Sequence, residues 1–265
     1  MPELISSYAN PLVKQIRSLH QKKARQETGL FLVEGIHPVG EAIEAGWQLD
    51  VLVYAPELLT SDFAHGLVDG QSRLGVRCVS LPRELFDAVA GKDNPQGILA
   101  VVHQRHTFLE DISPEFFTFG AAAVSPQDPG NVGTILRTLE AVGADGLFIL
   151  DGGVELYHPS VVRASMGAIF WKPVVQASFG DFDSWRQKNG YFLVGSSSHA
   201  STDYRDFLHD ARPLILLLGN EQKGLTQLQA GACDVVVSMP MKGRGSSLNL
   251  AVAAGVLLYQ MIEKK

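Results

Sequence analysis

The stretch FGAAAVSPQDPGNVGTILR, residues 119–137, holds the pattern that decides the fold. Its opening, Phe119 to Val124, is apolar without alternation, the composition of a strand buried on both faces. Ser125 to Gly130 is a polar turn rich in Gly and Pro, and apolar residues then recur at helical spacing from Val132 to Val142. Strand, turn and helix in immediate succession form the start of an α/β unit. Further apolar strand candidates fall at Leu147 to Leu150, Pro173 to Gln176, Tyr191 to Val194, Leu214 to Leu218 and Val235 to Ser238, with helical stretches at Val161 to Ala168 and Phe182 to Lys188. The alternation predicts a mostly parallel sheet covered on both faces. Ligands of such sheets gather at the carboxyl ends of strands, so the residues that follow strands are where chemistry is sought.

Toward the amino terminus, Leu12, Val13, Ile16 and Leu19 recur at helical spacing after Asn10-Pro11, giving an amphipathic helix. A helix at Ile36 to Ala45, strands at Leu49 to Tyr54 and Val76 to Val79, a helix at Arg83 to Ala90 and a strand at Ile98 to Val102 complete a smaller α/β unit. His103 to Pro114 has no clear periodicity. The chain thus reads as a domain over 1–105, a linker over 106–114 and a second domain over 115–265.

A length of 265 residues suits one large or two modest domains. With 46% hydrophobic and 19% charged residues, disordered, collagen-like and coiled-coil compositions are excluded. Two cysteines far apart, Cys78 and Cys233, make neither a disulfide framework nor a zinc site. His103 and His106 lack a third ligand, so no metal is expected. Neither a signal peptide nor a membrane span is expected, since the longest apolar run, Leu248 to Ile262, is interrupted by Asn249, Gly255 and Gln260; the expected compartment is the cytoplasm. The net charge is −6, yet residues 1–25 hold five basic side chains against Glu3 alone. That end therefore carries +4 and the remainder −10. Lys14, Arg17, Lys22, Lys23 and Arg25 read either as a phosphate-contacting arm or as a solvated helix face.

Three segments that follow predicted strands hold the candidate chemistry. In the first, residues 125–137, a turn opens a helix and Arg137 lies within its first turns, a setting for an anionic group such as phosphate. In the second, LLLGNEQKGL (residues 216–225), a strand ends in Gly219, which permits close approach of a ligand to the backbone, and in Glu221. The third, MPMKGRGSSLNL (residues 239–250), is a glycine-rich loop that enters the last helix. Neither standard nucleotide fingerprint is present, and Gly195-Ser196-Ser197-Ser198-His199 lacks the order of a nucleophile elbow.

In order and spacing these segments resemble the three motifs of the SpoU/TrmH family of RNA ribose 2'-O-methyltransferases, in the SPOUT superfamily. The matching positions are Asn131, Gly133 and Arg137, then Gly219, Glu221 and Gly224, then Pro240, Met241, Gly243, Ser247, Leu248 and Asn249. Asn10-Pro11, Lys14, residues 22–25, Phe31 to Gly35 and Pro95-Gln96-Gly97 are similar to the substrate-binding domain that precedes many such catalytic domains and itself resembles kink-turn-binding ribosomal proteins. The resemblance implies an α/β protein whose second domain is a trefoil-knotted methyltransferase and whose first is a small RNA-binding domain.

It further implies S-adenosylmethionine as methyl donor, held by Gly195, Ser196, Gly219, Asn220, Met239, Pro240, Met241, Ser247 and Leu248. The same resemblance makes Arg137 the central RNA-facing residue, oriented with the hydroxyl or the cofactor by Asn131, Glu221, Ser247 and Asn249. Lys14, Arg17, Lys22, Lys23 and Arg25 become RNA contacts, and Arg163 joins them or stays a helix-surface residue. The last helix is apolar nearly all round and should be buried on several sides, either as core or in the homodimer that the family commonly forms. Ribosomal RNA is the expected substrate, with transfer RNA, a non-catalytic RNA-binding role and an antibiotic-resistance role as the competing readings.

Overall fold

The computed structural model describes residues 3–91, 94–206 and 212–263. The chain forms two compact units: residues 1–105 with 157–170, and residues 106–156 with 171–265.

In chain order the first stretch holds β1 (Glu3–Leu4), α1 (Pro11–Ser18), α2 (Lys22–Thr28), β2 (Leu30–Glu34), α3 (Ile36–Glu44), β3 (Leu49–Tyr54), α4 (Asp62–Arg73), β4 (Cys78–Ser80), α5 (Arg83–Val89) and β5 (Ile98–His103). The strands form one sheet in the order β1-β4-β3-β5-β2, in which β5 runs antiparallel to both β2 and β3. Helix α1 begins where the sequence places it: the Asn10 side chain accepts from the Leu12 N–H at 2.8 Å, and Pro11 needs no partner for a missing N–H. Leu12, Val13 and Ile16 point inward, joining Leu19, Val53, Phe86 and Val101 in the core.

The next elements are β6 (Phe119–Val124), α6 (Pro129–Ala141), β7 (Gly146–Leu150), α7 (Pro159–Ala164), β8 (Val174–Ala177), α8 (Phe179–Lys188), β9 (Phe192–Ser196), β10 (Thr202–Asp203), β11 (Leu214–Leu218), α9 (Gln227–Ala232), β12 (Val235–Ser238) and α10 (Leu250–Glu263). Seven strands form the second sheet, β10-β12-β9-β11-β6-β7-β8, with every neighbouring pair parallel. β11 lies between β9 and β6, both of which precede it in the chain. The carboxyl ends of β12, β9, β11 and β6 therefore share one edge. Phe117, Phe148, Phe182 and Tyr191 fill the core on one side of this sheet.

Three findings differ from the reading of the sequence. Residues 157–170, α7 included, pack with the first unit: Tyr157 lies against Phe31 with ring centroids 4.5 Å apart and exchanges hydrogen bonds with the Arg105 backbone, while Trp47 Nε1 donates to Phe170 O at 2.9 Å. Burial pushes the Tyr157 phenol up to about 12. The stretch 106–114 is docked in the second unit, where Thr107 bridges Val175 and Ile112 is buried. Helix α10 buries Ala251, Ala254, Leu257, Leu258 and Met261 against its own unit, chiefly on α6, and leaves Val252, Val256 and Tyr259 exposed. Among the described residues its main contacts are with α6 and β11, on the side those residues face. No helix among the described residues is long and apolar enough to cross a membrane.

Candidate active site

Helix α6 starts at a built terminus. Asp128 Oδ1 accepts from the Asn131 N–H at 2.9 Å and Pro129 occupies the first turn. Before it, Ser125 adopts a positive φ of 42° and its hydroxyl donates to Asp151 O, so the turn after β6 is fixed by side-chain contacts. Glu221, in the turn after β11, then receives this terminus. Its carboxylate accepts from the backbone N–H of Gln127 at 3.0 and 3.1 Å, from that of Asp128 at 3.3 Å, and from Asn131 Nδ2 at 3.3 Å. A carboxylate against the first amides of a helix is stabilised by hydrogen bonds and by the helix dipole together.

Asn131 is buried and completes the chain of contacts, its Oδ1 accepting from Asn249 Nδ2 at 2.9 Å. Asn249 Oδ1 in turn accepts from the Ala251 and Val252 amides, starting α10. The structure thus joins all three segments singled out in the sequence through Glu221, Asn131 and Asn249. Asn220 adds a second tie between the first two: its Nδ2 donates to Ser125 O at 2.9 Å, and its Oδ1 accepts from the Gln222 and Lys223 amides.

Arg137 lies on α6 less than two turns beyond Asn131 and is exposed. Among the described residues neither its guanidinium nor the Ser247 hydroxyl has a hydrogen-bond partner. Residues 240–249 are exposed, and among the described residues the backbone of 239–248 makes no hydrogen bond. Met241 and Leu248 stand in this loop 38% and 40% exposed. Open backbone donors and acceptors beside two apolar side chains suit a purine nucleoside. Gly195, Ser196 and Met239 lie along the same sheet edge, since β9 pairs with both β11 and β12 in parallel.

Two of the glycines assigned to the cofactor stand in tight contact with the protein itself. A Cβ on Gly219 would stand 2.4 Å from the Gly224 carbonyl carbon, and one on Gly195 would stand 2.7 Å from Cys233 Sγ. At both positions the packing of the protein on itself already excludes a side chain. Burial also pushes the Cys233 thiol up to about 12, and its Sγ lies 3.2 Å from Gln229 O.

The basic residues of the first unit divide. Lys14, Arg17, Lys22 and Lys23 are exposed, Lys23 beside Glu27 at 3.8 Å. Arg25, read from the sequence as an RNA contact, is 1% exposed and donates from Nη1 to Leu19 O at 2.8 Å. It holds the α1–α2 connection from inside, and a guanidinium so enclosed cannot meet a phosphate. Arg163 is exposed on α7, in the first unit. Sequence reasoning passed over Gln127 and Asp128, which supply the amides that fix Glu221. The Asp-Pro pair at a helix start signalled Asp128 but gave no hint of a carboxylate arriving from ninety residues away.

Comparison with known proteins matches two stretches of the chain. Residues 119–259 match the SpoU rRNA Methylase family, and residues 10–100 match the MRM3-like substrate binding domain. A 23S rRNA (uridine(2479)-2'-O)-methyltransferase of Streptomyces viridochromogenes is 33% identical over 93% of this chain and 87% of its own. A 23S rRNA (guanosine(2553)-2'-O)-methyltransferase of Bacillus subtilis is 31% identical over 97% of this chain and 98% of its own. The crystal structure of an AdoMet-bound rRNA methyltransferase from Sinorhizobium meliloti superposes with a TM-score of 0.87 at 34% identity, covering 97% of this chain and 96% of that one. With its motifs joined at one sheet edge and its sequence matched over nearly its whole length, the chain belongs to the SpoU rRNA methylase family.

Proposed function

We propose that this protein transfers a methyl group from S-adenosylmethionine to a ribose 2'-hydroxyl of ribosomal RNA, acting in the cytoplasm as a homodimer with a knotted second domain. The observation that carries this reading is the hydrogen-bonded set Glu221–Asn131–Asn249, which ties the start of α6, the turn after β11 and the start of α10 together beside the open loop 239–248. S-adenosylmethionine supplies an electrophilic methyl carbon; Met241 and Leu248 flank its adenosine, and the free backbone groups of residues 239–248 with Asn220 and Ser196 bind its polar edges.

Transfer requires the attacking oxygen to be in line with the methyl carbon, so positioning supplies much of the rate. Arg137 is always protonated and has no acceptor, which excludes it as the base. It grips the phosphate beside the target ribose and stabilises the negative charge that develops on the 2'-oxygen. Both oxygens of Glu221 accept from protein N–H groups, which makes it a positioning residue that holds α6, and hence Arg137, at a fixed angle to the loop. Ser247, exposed beside Leu248, orients the hydroxyl or the cofactor. Lys14, Arg17, Lys22 and Lys23 anchor the RNA backbone on the first unit. The exposed stripe Val252, Val256 and Tyr259 on α10 is the dimer contact.

The test is label transfer from methyl-labelled S-adenosylmethionine into unmodified bacterial RNA, followed by alkaline hydrolysis. A methylated 2'-oxygen cannot attack its neighbouring phosphate, so label in alkali-resistant dinucleotides is expected. Label in mononucleotides would show base methylation and overturn the reading. Label in transfer RNA alone would correct the substrate, and cofactor binding without transfer to any RNA would point to a binding protein.

A further inference from the structure

The first unit contains a pocket that methyl transfer does not use. Its cavity volume is about 60 Å³, and it opens to solvent. Leu32, Pro38, Pro159 and Val162 form apolar walls, and His20, Glu34 and Arg163 bring polar groups to it. Glu34 is half satisfied: Oε2 accepts from the Gly91 N–H at 2.9 Å, whereas Oε1 is buried and meets no donor among the described residues. A buried acceptor left unmet is costly, so the position suits the N–H of a bound ligand. The opposite polarity comes from Arg163, whose guanidinium has no hydrogen bond or ion pair among the described residues. His20 Nε2 lies 3.0 Å from Val89 O. A carbonyl only accepts, so Nε2 carries the proton and Nδ1 is an acceptor while the ring is neutral. Gly91 makes room for this arrangement, since a Cβ there would stand 3.0 Å from His20 Cε1 and 3.3 Å from Glu34 Oε2.

One acceptor in want of a donor, one donor in want of an acceptor, and flat apolar walls describe a planar ring with both kinds of group on its rim. A phosphate would be repelled by Glu34, and a sugar's hydroxyl rim offers apolar walls such as Pro38 and Pro159 less flat apolar surface than a base does. His20 also joins α1 to α2, which carry the exposed Lys14, Arg17, Lys22 and Lys23, so the pocket is flanked in the chain by the basic helices. We propose that this pocket receives one nucleobase of the substrate RNA, turned out of its stack, with Glu34 Oε1 accepting a base N–H and Arg163 donating to another edge. Guanine meets both demands, offering N1–H and an amino group on one edge and O6 with N7 to an arginine on the other. The proposal rests on the reading of the protein as an RNA methyltransferase and adds to it a base-reading site remote in sequence from the motifs.

Two measurements on the full chain test it. In the first, protein labelled with ¹⁵N at His and Arg is titrated with GMP, AMP, CMP, UMP and inorganic phosphate. GMP should shift the His20 and Arg163 side-chain resonances more than any other probe, and Glu34→Gln should weaken GMP binding about tenfold. An equal response to all four nucleotides, a response that phosphate reproduces, or no response overturns the proposal. In the second, Glu34→Gln and Arg163→Ala are assayed for methylation of transcribed 23S RNA. Each should raise KM for RNA about tenfold while kcat and cofactor affinity stay within twofold. Variants that only lose thermal stability, with KM unchanged, would show a structural pair and overturn it. Absence of methylation by the unaltered protein would count against the methyltransferase reading instead, and the nucleotide titration would still decide the pocket.

Discussion

Asn131 takes part in contacts to two other motif segments at once, and its amide has the right polarity for each: the nitrogen faces the Glu221 carboxylate and the oxygen faces Asn249 Nδ2. Asn131→Asp would set two carboxylates against one another and remove the donor. We expect at least a hundredfold loss of kcat/KM with a stability loss of about 2 kcal/mol, read from turnover and from denaturant unfolding. Arg137→Ala should behave differently, since its side chain has no partner within the described residues. Transfer should fall at least a hundredfold while cofactor affinity by calorimetry stays within twofold and stability is unchanged. A parallel loss of cofactor affinity would remove Arg137 from its assigned place. The Cys233 thiol gives a pH signature: its acidity is held from 9.0 up to about 12 by burial, so the unfolded chain loses this proton first. Stability should therefore be full below pH 9 and decline as pH rises toward 12, and in Cys233→Ala that share of the decline should vanish.

At the scale of elements, the amphipathic reading of α1 extended to α2 in error at one position. A basic residue in a polar-looking run normally points to solvent, yet Arg25 points inward to Leu19 O because the chain reverses between the two helices. Arg25→Ala should cost about 2–3 kcal/mol of stability in thermal unfolding. The last helix, whose all-round apolar pattern suggests burial on several sides as core or in a homodimer, buries Ala251, Ala254, Leu257, Leu258 and Met261 and leaves Val252, Val256 and Tyr259 exposed. Val256→Glu should convert a dimer to a monomer in sedimentation, and a mass unchanged by it would dissociate the stripe from assembly.

For the whole molecule, the acidic net charge conceals a basic end. Replacing Lys14, Arg17, Lys22 and Lys23 together by Ala should weaken RNA binding at all sequences and flatten its salt dependence. Each lost phosphate contact should reduce the slope of log affinity against log salt by about 0.7–0.9. The central strands of the second unit were legible because burial on both faces demands uninterrupted apolar runs, and Phe119–Val124 and Leu214–Leu218 begin and end where that pattern does. Short edge elements such as β10 left no periodic trace, and α4 was passed over although Ala64, Val68 and Gln71 recur at helical spacing. By itself the sequence determined the class of fold, the three polar segments at strand ends and the family, because strand burial, turn chemistry and motif order are all local properties of the chain. Tertiary structure alone decided that residues 157–170 join the first unit, that Arg25 is enclosed, that Gly195 and Gly219 stand tight against protein neighbours, and that Glu34 Oε1 has no donor among the described residues. Each of these depends on which distant residues arrive at a point in space, and sequence spacing does not encode that distance.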